Sequence, residues 1–347
     1  VVTFVLFIIG FPLLIFGADS LVKGASRLAV AWGVSALAVG LTVVAYGTSM
    51  PELAVTVLAV WKESGAEEAS SGAADIAVGN VVGSNIANIL LVIGVSACVA
   101  PLVVSREVVK RSLPLMVFVS IAVMAFAWDY DGDGKSVITW WHGLILVVGV
   151  LLYSWRALSR GRAEKKLELT EAEEIEDEFG HLGDSPWAWA IEVGRILLGL
   201  VCLVVGGRFL VDGAVAVAQW LNVSELMISL TIVAIGTSLP EIATCMMAVL
   251  RGQRDLAVGN AVGSNIFNIL LVLGCCAVVA PGGGIEINKL ALTRDIPIMI
   301  GVALLTVPIF YTQYVIARWE GWVFVALYVG YTVYLVLRAT GEGATYG

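Results

Sequence analysis

AYGTSMPE at Ala45–Glu52 and AIGTSLPE at Ala234–Glu241 are near copies of one another, 189 residues apart. The residues downstream of each are copied too. DIAVGNVVGSNIANILLVIG, Asp75–Gly94, lies on DLAVGNAVGSNIFNILLVLG, Asp255–Gly274, at an offset of 180 and with 16 of 20 positions identical. Upstream, Gly17–Thr42 runs against Gly206–Thr231 without a gap, and the shortening of the offset from 189 to 180 falls in the polar insert around Glu63–Gly72. Self-similarity over so much of the chain marks an internal duplication.

The medium in which the two copies fold is set by composition. The 347 residues are 59% hydrophobic and only 14% charged, with a mean hydropathy of +0.93, which lies outside the balance of a water-soluble domain. Uncharged runs such as Ser112–Trp128, Ser136–Trp155, Ile296–Ala317 and Gly321–Leu337 approach the roughly 20 residues that one helical crossing needs. The short alternating segments of an outer-membrane barrel are not seen. Helices are expected near residues 2–30, 35–61, 75–99, 112–128 and 137–157, and again near 187–219, 224–250, 256–279, 294–313 and 319–338. The expectation is an all-α membrane protein of ten transmembrane helices, built as two five-helix repeats. An odd number of crossings per copy forces the second copy into the bilayer the other way up, so the repeats are inverted.

Charge divides the chain. Between Arg160 and Ser185 nine acids face four bases, which marks an acidic linker over 158–186 between a first repeat, 1–157, and a second, 187–347. With the N-terminus outside, 13 of the 20 Lys and Arg residues reach the cytoplasmic connections, so both termini are expected outside and the linker in the cytoplasm. Val1 is followed by an apolar run with no basic stretch ahead of it, so no secretory signal is expected. Cys98, Cys202, Cys245, Cys275 and Cys276 sit in apolar surroundings without metal or redox spacing and read as packing residues.

Carboxylates inside apolar helices are costly and mark function by default. Glu52 and Glu241 are two such cases, in mirrored positions and without a Lys or Arg nearby in sequence. Thr48, Ser49 and Glu52, like Thr237, Ser238 and Glu241, are spaced to gather oxygens within about one helical turn. Pro51 and Pro240 lack the N–H that would satisfy the carbonyls of Gly47 and Gly236, so each helix should bend at this point. The next helix of each copy places Ser84 with Asn88, and Ser264 with Asn268, on one face. Carboxylate, hydroxyl, amide and carbonyl oxygens, with no thiolate or imidazole, make a ligand set for hard cations such as calcium and sodium. Close helix packing through small residues is the plainer reading of GNVVGSNIANILL. Asp75 and Asp255, which open their helices, read as N-caps.

The paired motifs, AYGTSMPE with GNVVGSNIAN and AIGTSLPE with GNAVGSNIFN, resemble the two alpha-repeats of the calcium/cation antiporter superfamily, closest to prokaryotic sodium/calcium exchangers. The resemblance implies a multi-pass protein of the cell membrane that is no enzyme, uses no cofactor, and carries calcium and sodium as transported substrates by alternating access. It implies Glu52 and Glu241 as shared ligands, with Thr48, Thr237, Ser49, Ser238, Ser84, Ser264 and the carbonyls of Ala45 and Ala234 as further ones. Potassium-dependent relatives carry an acid where this chain has Asn268, and here both Asn88 and Asn268 are amides, which argues against potassium. A proton/calcium antiporter is the near alternative. Beyond the bilayer and the two ions no partner is expected, neither nucleic acid nor a second subunit. An intramembrane enzyme would need a nucleophile or metal motif that the spans lack. DYDGDGKS, with Asp129, Asp131 and Asp133, reproduces half of a calcium loop but has Trp140 where the closing Glu belongs, so a solvated turn is expected.

Overall fold

The protein was analysed as a computed structural model that describes residues 2–63, 72–128, 136–165, 186–221, 228, 231, 232, 234–280, 283–312 and 314–343. The half calcium loop and most of the acidic linker lie outside these residues. The chain is helical almost throughout. Helix α1, Val2–Trp32, ends where Gly33 takes a positive φ of 62°, and Ser35 caps the next helix by accepting the Ala38 amide at 3.3 Å. Helix α2, Ala36–Thr48, passes through a π-helical stretch at Gly40–Val44 and stops at Ser49, after which α3 runs over Met50–Glu63. The angle between α2 and α3 is 41°, the bend that Pro51 demands. The second copy breaks at the same place, between α8, Ala234–Thr237, and α9, Leu239–Leu250.

The other elements follow in order. Helix α4 covers Gly72–Ala87 and continues through a π-helical stretch, Asn88–Ile93, into Gly94–Val99; α5 spans Val108–Phe126, α6 Trp140–Lys165 and α7 Pro186–Trp220. Helix α10 covers Arg254–Phe267, with its π-helical stretch at Asn268–Leu273 and its end at Val279; α11 spans Ala291–Tyr311 and α12 Arg318–Gly343. Among the described residues eight helices are long and apolar enough to cross a bilayer, or nine with α2 and α3 taken as one bent span. The expected crossing near 224–250 is represented by α8 and α9, its earlier part lying largely outside the described residues. Helix α6 runs on to Lys165, through the first residues of the stretch expected as linker.

Two short antiparallel ribbons tie the copies together. Strand β1, Leu102–Val103, pairs with β4, Val315–Ile316, and β2, Val137–Thr139, with β3, Gly284–Glu286. Because β1 precedes α5 and β2 follows it, the ribbons sit at opposite ends of a helix about 28 Å long and label the two membrane faces. Helices α1 and α7 pack with Gly10 against Gly206 and Gly17 against Gly199, so their directions are opposed. A Cβ on Gly17 would lie 2.8 Å from the Gly199 carbonyl, an approach that only glycine allows.

Candidate cation site

At the centre α4 and α10 cross through a reciprocal pair. Asn85 donates from Nδ2 to the Asn265 carbonyl at 3.3 Å, and Asn265 donates from Nδ2 to the Asn85 carbonyl at 3.2 Å. The two asparagines are 180 residues apart, so the pseudo-symmetry of the sequence becomes a pseudo-twofold in space. One helical step to either side stand Ser84 with Asn88 and Ser264 with Asn268, all buried. Asn88 and Asn268 each open a π-helical stretch, a backbone form that concentrates at functional sites.

Against this crossing the breaks of α2–α3 and α8–α9 bring in the remaining groups. Glu52 and Glu241 are 3% and 1% exposed, and Glu52 lies close enough to Glu241 to sense its charge. No Lys or Arg pairs with either among the described residues. Thr48 Oγ1 lies 3.3 Å from Ser264 Oγ and donates to Asn260 Oδ1 at 3.3 Å, joining the first copy to the second. Thr48 also lies beside Glu241. Many oxygens here have no hydrogen-bond partner among the described residues: Glu52 Oε2, both Glu241 oxygens, the hydroxyls of Ser49, Ser84 and Ser238, and the side-chain amides of Asn88 and Asn268. Buried polar atoms are normally satisfied, so this concentration in one place is what a cation-binding centre leaves when protein atoms alone are counted.

The Ala45 carbonyl departs from the simple picture. It accepts the Ser49 amide at 3.1 Å and the Thr48 hydroxyl at 3.4 Å, so it can turn to a cation only by giving up the Thr48 bond. Ala234 begins α8, and Thr237 closes it. Asp75 and Asp255 are not N-caps. Asp75 lies inside the first turn of α4 and accepts from Asn288 Nδ2 at 2.7 Å, while Gln253 occupies the cap position of α10 and puts Asp255 within its first turn.

Sequence reasoning missed three groups. Asn260 donates from Nδ2 to Cys245 Sγ at 3.2 Å, and Cys245 reaches the Ala257 carbonyl, so this thiol belongs to the polar network rather than to packing alone. Asn80 is the copy of Asn260 and one turn before Ser84, a spacing present in the motif. Its Nδ2 has no partner among the described residues, and it lines a cavity of about 170 Å³ with Glu52, Thr237 and both motif prolines. The far wall of that cavity carries Arg208 and Asp212 from α7.

The duplicated helical scaffold and the oxygen-lined centre at its crossing define a multi-span membrane carrier for cations. The chain belongs to the sodium/calcium exchanger protein family, whose pattern it matches over residues 2–158 and 191–337. It is 30% identical over 320 residues to the sodium/calcium exchanger MaX1 of Methanosarcina acetivorans, covering 83% of this chain and 85% of that one. It is 38% identical over 265 residues to the inner membrane protein YrbG of Escherichia coli, covering 74% of this chain and 73% of the relative. A solved structure of the sodium-calcium exchanger NCX_Mj, soaked with Na+ and Sr2+, superposes with a TM-score of 0.75 at 28% identity, over 95% of this chain and 97% of that one. The protein is thus a multi-pass membrane antiporter of cations.

Proposed function

We propose that this antiporter exchanges sodium for calcium by alternating access, with both ions bound between the two copies. The reading rests on one observation above all: two buried carboxylates, Glu52 within reach of the charge of Glu241, among unpartnered neutral oxygens and without a basic counter-charge among the described residues. Glu52 and Glu241 would balance one calcium ion. Thr48, Thr237, Ser49, Ser238, Ser84, Ser264, Asn88, Asn268 and the carbonyls of Ala45 and Ala234 would complete its coordination or hold sodium in its place. Hydroxyl, amide and carbonyl oxygens at such a site suit these hard cations. The cavity lined by Glu52, Asn80 and Thr237 is the route by which an ion would reach the carboxylates from the β2/β3 face.

The same reading arranges the chain as ten crossings in two inverted repeats, 1–157 and 187–347, that work as a single subunit. Both termini then lie outside, the 158–186 linker lies in the cytoplasm, and the β2/β3 face is the outer one. A second reading, proton/calcium exchange, is favoured by the same carboxylate pair, since either group can carry a proton in place of a cation.

Purified protein in sealed vesicles separates the two. Radiocalcium uptake driven by an outward sodium gradient at equal pH on both sides supports sodium coupling. Uptake that follows an imposed proton gradient and ignores sodium supports the alternative. Repeating the measurement without potassium tests the expectation drawn from Asn88 and Asn268.

A further inference from the structure

The two copies differ in one element beside their acids. Cys245 stands one turn after Glu241 on α9, and at the offset of 189 that relates Glu52 to Glu241 its counterpart is Thr56 on α3. Thr56 turns its hydroxyl back on its own helix, donating to the Glu52 carbonyl at 2.6 Å. Cys245 instead reaches across to α10. Its thiol donates to the Ala257 carbonyl at 3.3 Å, and its sulfur accepts the Asn260 side-chain amide at 3.2 Å. One copy thus carries a sulfur atom where the other carries an oxygen tied to backbone.

A buried thiol alone would be ordinary packing, and Cys202 and Cys276 are buried too. Glu241 sets Cys245 apart from them. Its carboxylate is 1% exposed, neither of its oxygens has a hydrogen-bond partner among the described residues, and its charge bears on the Cys245 thiol. Contacts close an arc around the carboxylate. Thr48 lies beside it and donates from Oγ1 to Asn260 Oδ1 at 3.3 Å, and the Nδ2 of the same asparagine meets Cys245 Sγ. Residues four apart share a helix face, with Cβ atoms roughly 5–6 Å apart. That is the spacing at which two side chains of one helix hold a single metal ion. Glu241 and Cys245 therefore offer an oxygen donor and a sulfur donor to one cation.

We propose that Glu241 and Cys245 form a trap for thiophilic divalent cations, in which an ion such as cadmium is held and exchange is blocked. The proposal rests on the reading of Glu241 as a cation ligand. Calcium and sodium are hard ions that take oxygen and leave the thiol protonated. Cadmium has nearly the size of calcium and a far stronger preference for sulfur. When it enters, an Sγ–Cd bond forms as the Sγ–H bond breaks, and the proton leaves to water. The Asn260 amide, already directed at Sγ, then donates to a thiolate. Carboxylate and thiolate together balance the charge of the ion, which stays in place of the cargo.

Radiocalcium uptake into vesicles at rising cadmium, scaled to the uninhibited rate of each variant, tests this. Cys245→Ser should need about tenfold or more cadmium for half-inhibition than wild type, whereas manganese, a hard divalent ion, should inhibit both alike. A second measurement needs no transport. Purified wild type titrated with cadmium should develop an ultraviolet thiolate-to-cadmium charge-transfer band that added calcium suppresses. Cys245→Ser should lack the band, and Cys202→Ser, which alters a thiol packed against Gly17 of α1, should keep it. Should the serine variant fold poorly, Cys245→Ala carries the test. No inhibition by cadmium, equal cadmium sensitivity in wild type and Cys245→Ser, an equal loss of sensitivity to manganese, or a band that survives Cys245→Ser would each overturn the proposal. A band lost with Cys245 in a chain that moves no calcium would uphold the metal site and overturn the exchange reading instead.

Discussion

On the proposed reading Glu52 and Glu241 would carry the chemistry through their isolation, because a buried carboxylate with no basic partner among the described residues is stabilised by a bound cation or by a proton. Glu52→Gln and Glu241→Gln should therefore each lower calcium exchange by about a hundredfold or more, the scale expected when a charged ligand becomes a neutral one. Each should still elute as a folded particle, because the amide removes a charge from the membrane interior. Exchange that survives in either variant would remove that residue from the site. Thr48→Val tests a different contact. It deletes the links to Asn260 and Ser264 at 3.3 Å and should weaken apparent calcium affinity several-fold in the same uptake assay. Much of this was legible in the sequence, since the motif repeats and its acids stand alone. What stayed hidden was the use of partners. The sequence put Asn260 in a copied motif but could not show that Thr48 and Cys245, distant in the chain, converge on its amide.

At the scale of elements, the proline positions foretold a bend. The break before Pro51 was readable because a missing N–H has a local consequence. The π-helical stretches at Asn88 and Asn268 were not, since no local residue signal comparable to proline marks that backbone form. The N-cap reading of Asp75 and Asp255 failed for a related reason: α4 begins three residues before Asp75, at Gly72, and Gln253 takes the cap of α10. Close helix approach gives a prediction with an internal control. Gly17→Ala or Gly199→Ala would push a methyl to 2.8 Å from a facing backbone, and should lower thermal stability in detergent by an amount equivalent to about 1–3 kcal/mol. Gly194→Ala, also within α7 but with nothing within 4 Å among the described residues, should be neutral or slightly stabilising. Equal effects at the two kinds of position would mean that α1 and α7 do not pack through their glycines.

Across the whole molecule the two copies share a fold and differ in charge. Asp19 and Lys23 of α1 align, at the offset of 189, with Arg208 and Asp212 of α7, so the order of signs is reversed between the copies. In this structure the first pair is engaged. Lys23 holds Asp19 at 2.7 Å, and Arg251, from the turn after α9, donates from Nε to the same carboxylate at 3.0 Å, joining the first copy to the second at the β1/β4 face. Beside them Glu192 of α7, 2% exposed, accepts Arg27 at 2.7 Å and Arg195 at 3.0 Å. The second pair instead lines the cavity that leads to Glu52. One face is thus tied across the repeats by ion pairs while the corresponding charges at the other stand along the entry route. If alternating access exchanges these roles, cutting the tie should favour the state open to the β1/β4 face. A partly exposed pair of this kind contributes about 1 kcal/mol, so Arg251→Ala should shift the balance of states about fivefold. Hydrogen exchange reads this directly: backbone amides at residues 15–27 and 247–253 should exchange about fivefold faster in Arg251→Ala than in wild type, with those of α12 unchanged. Uniform acceleration would point to general destabilisation, and no change at 15–27 would mean that the ion pair does not hold that face closed.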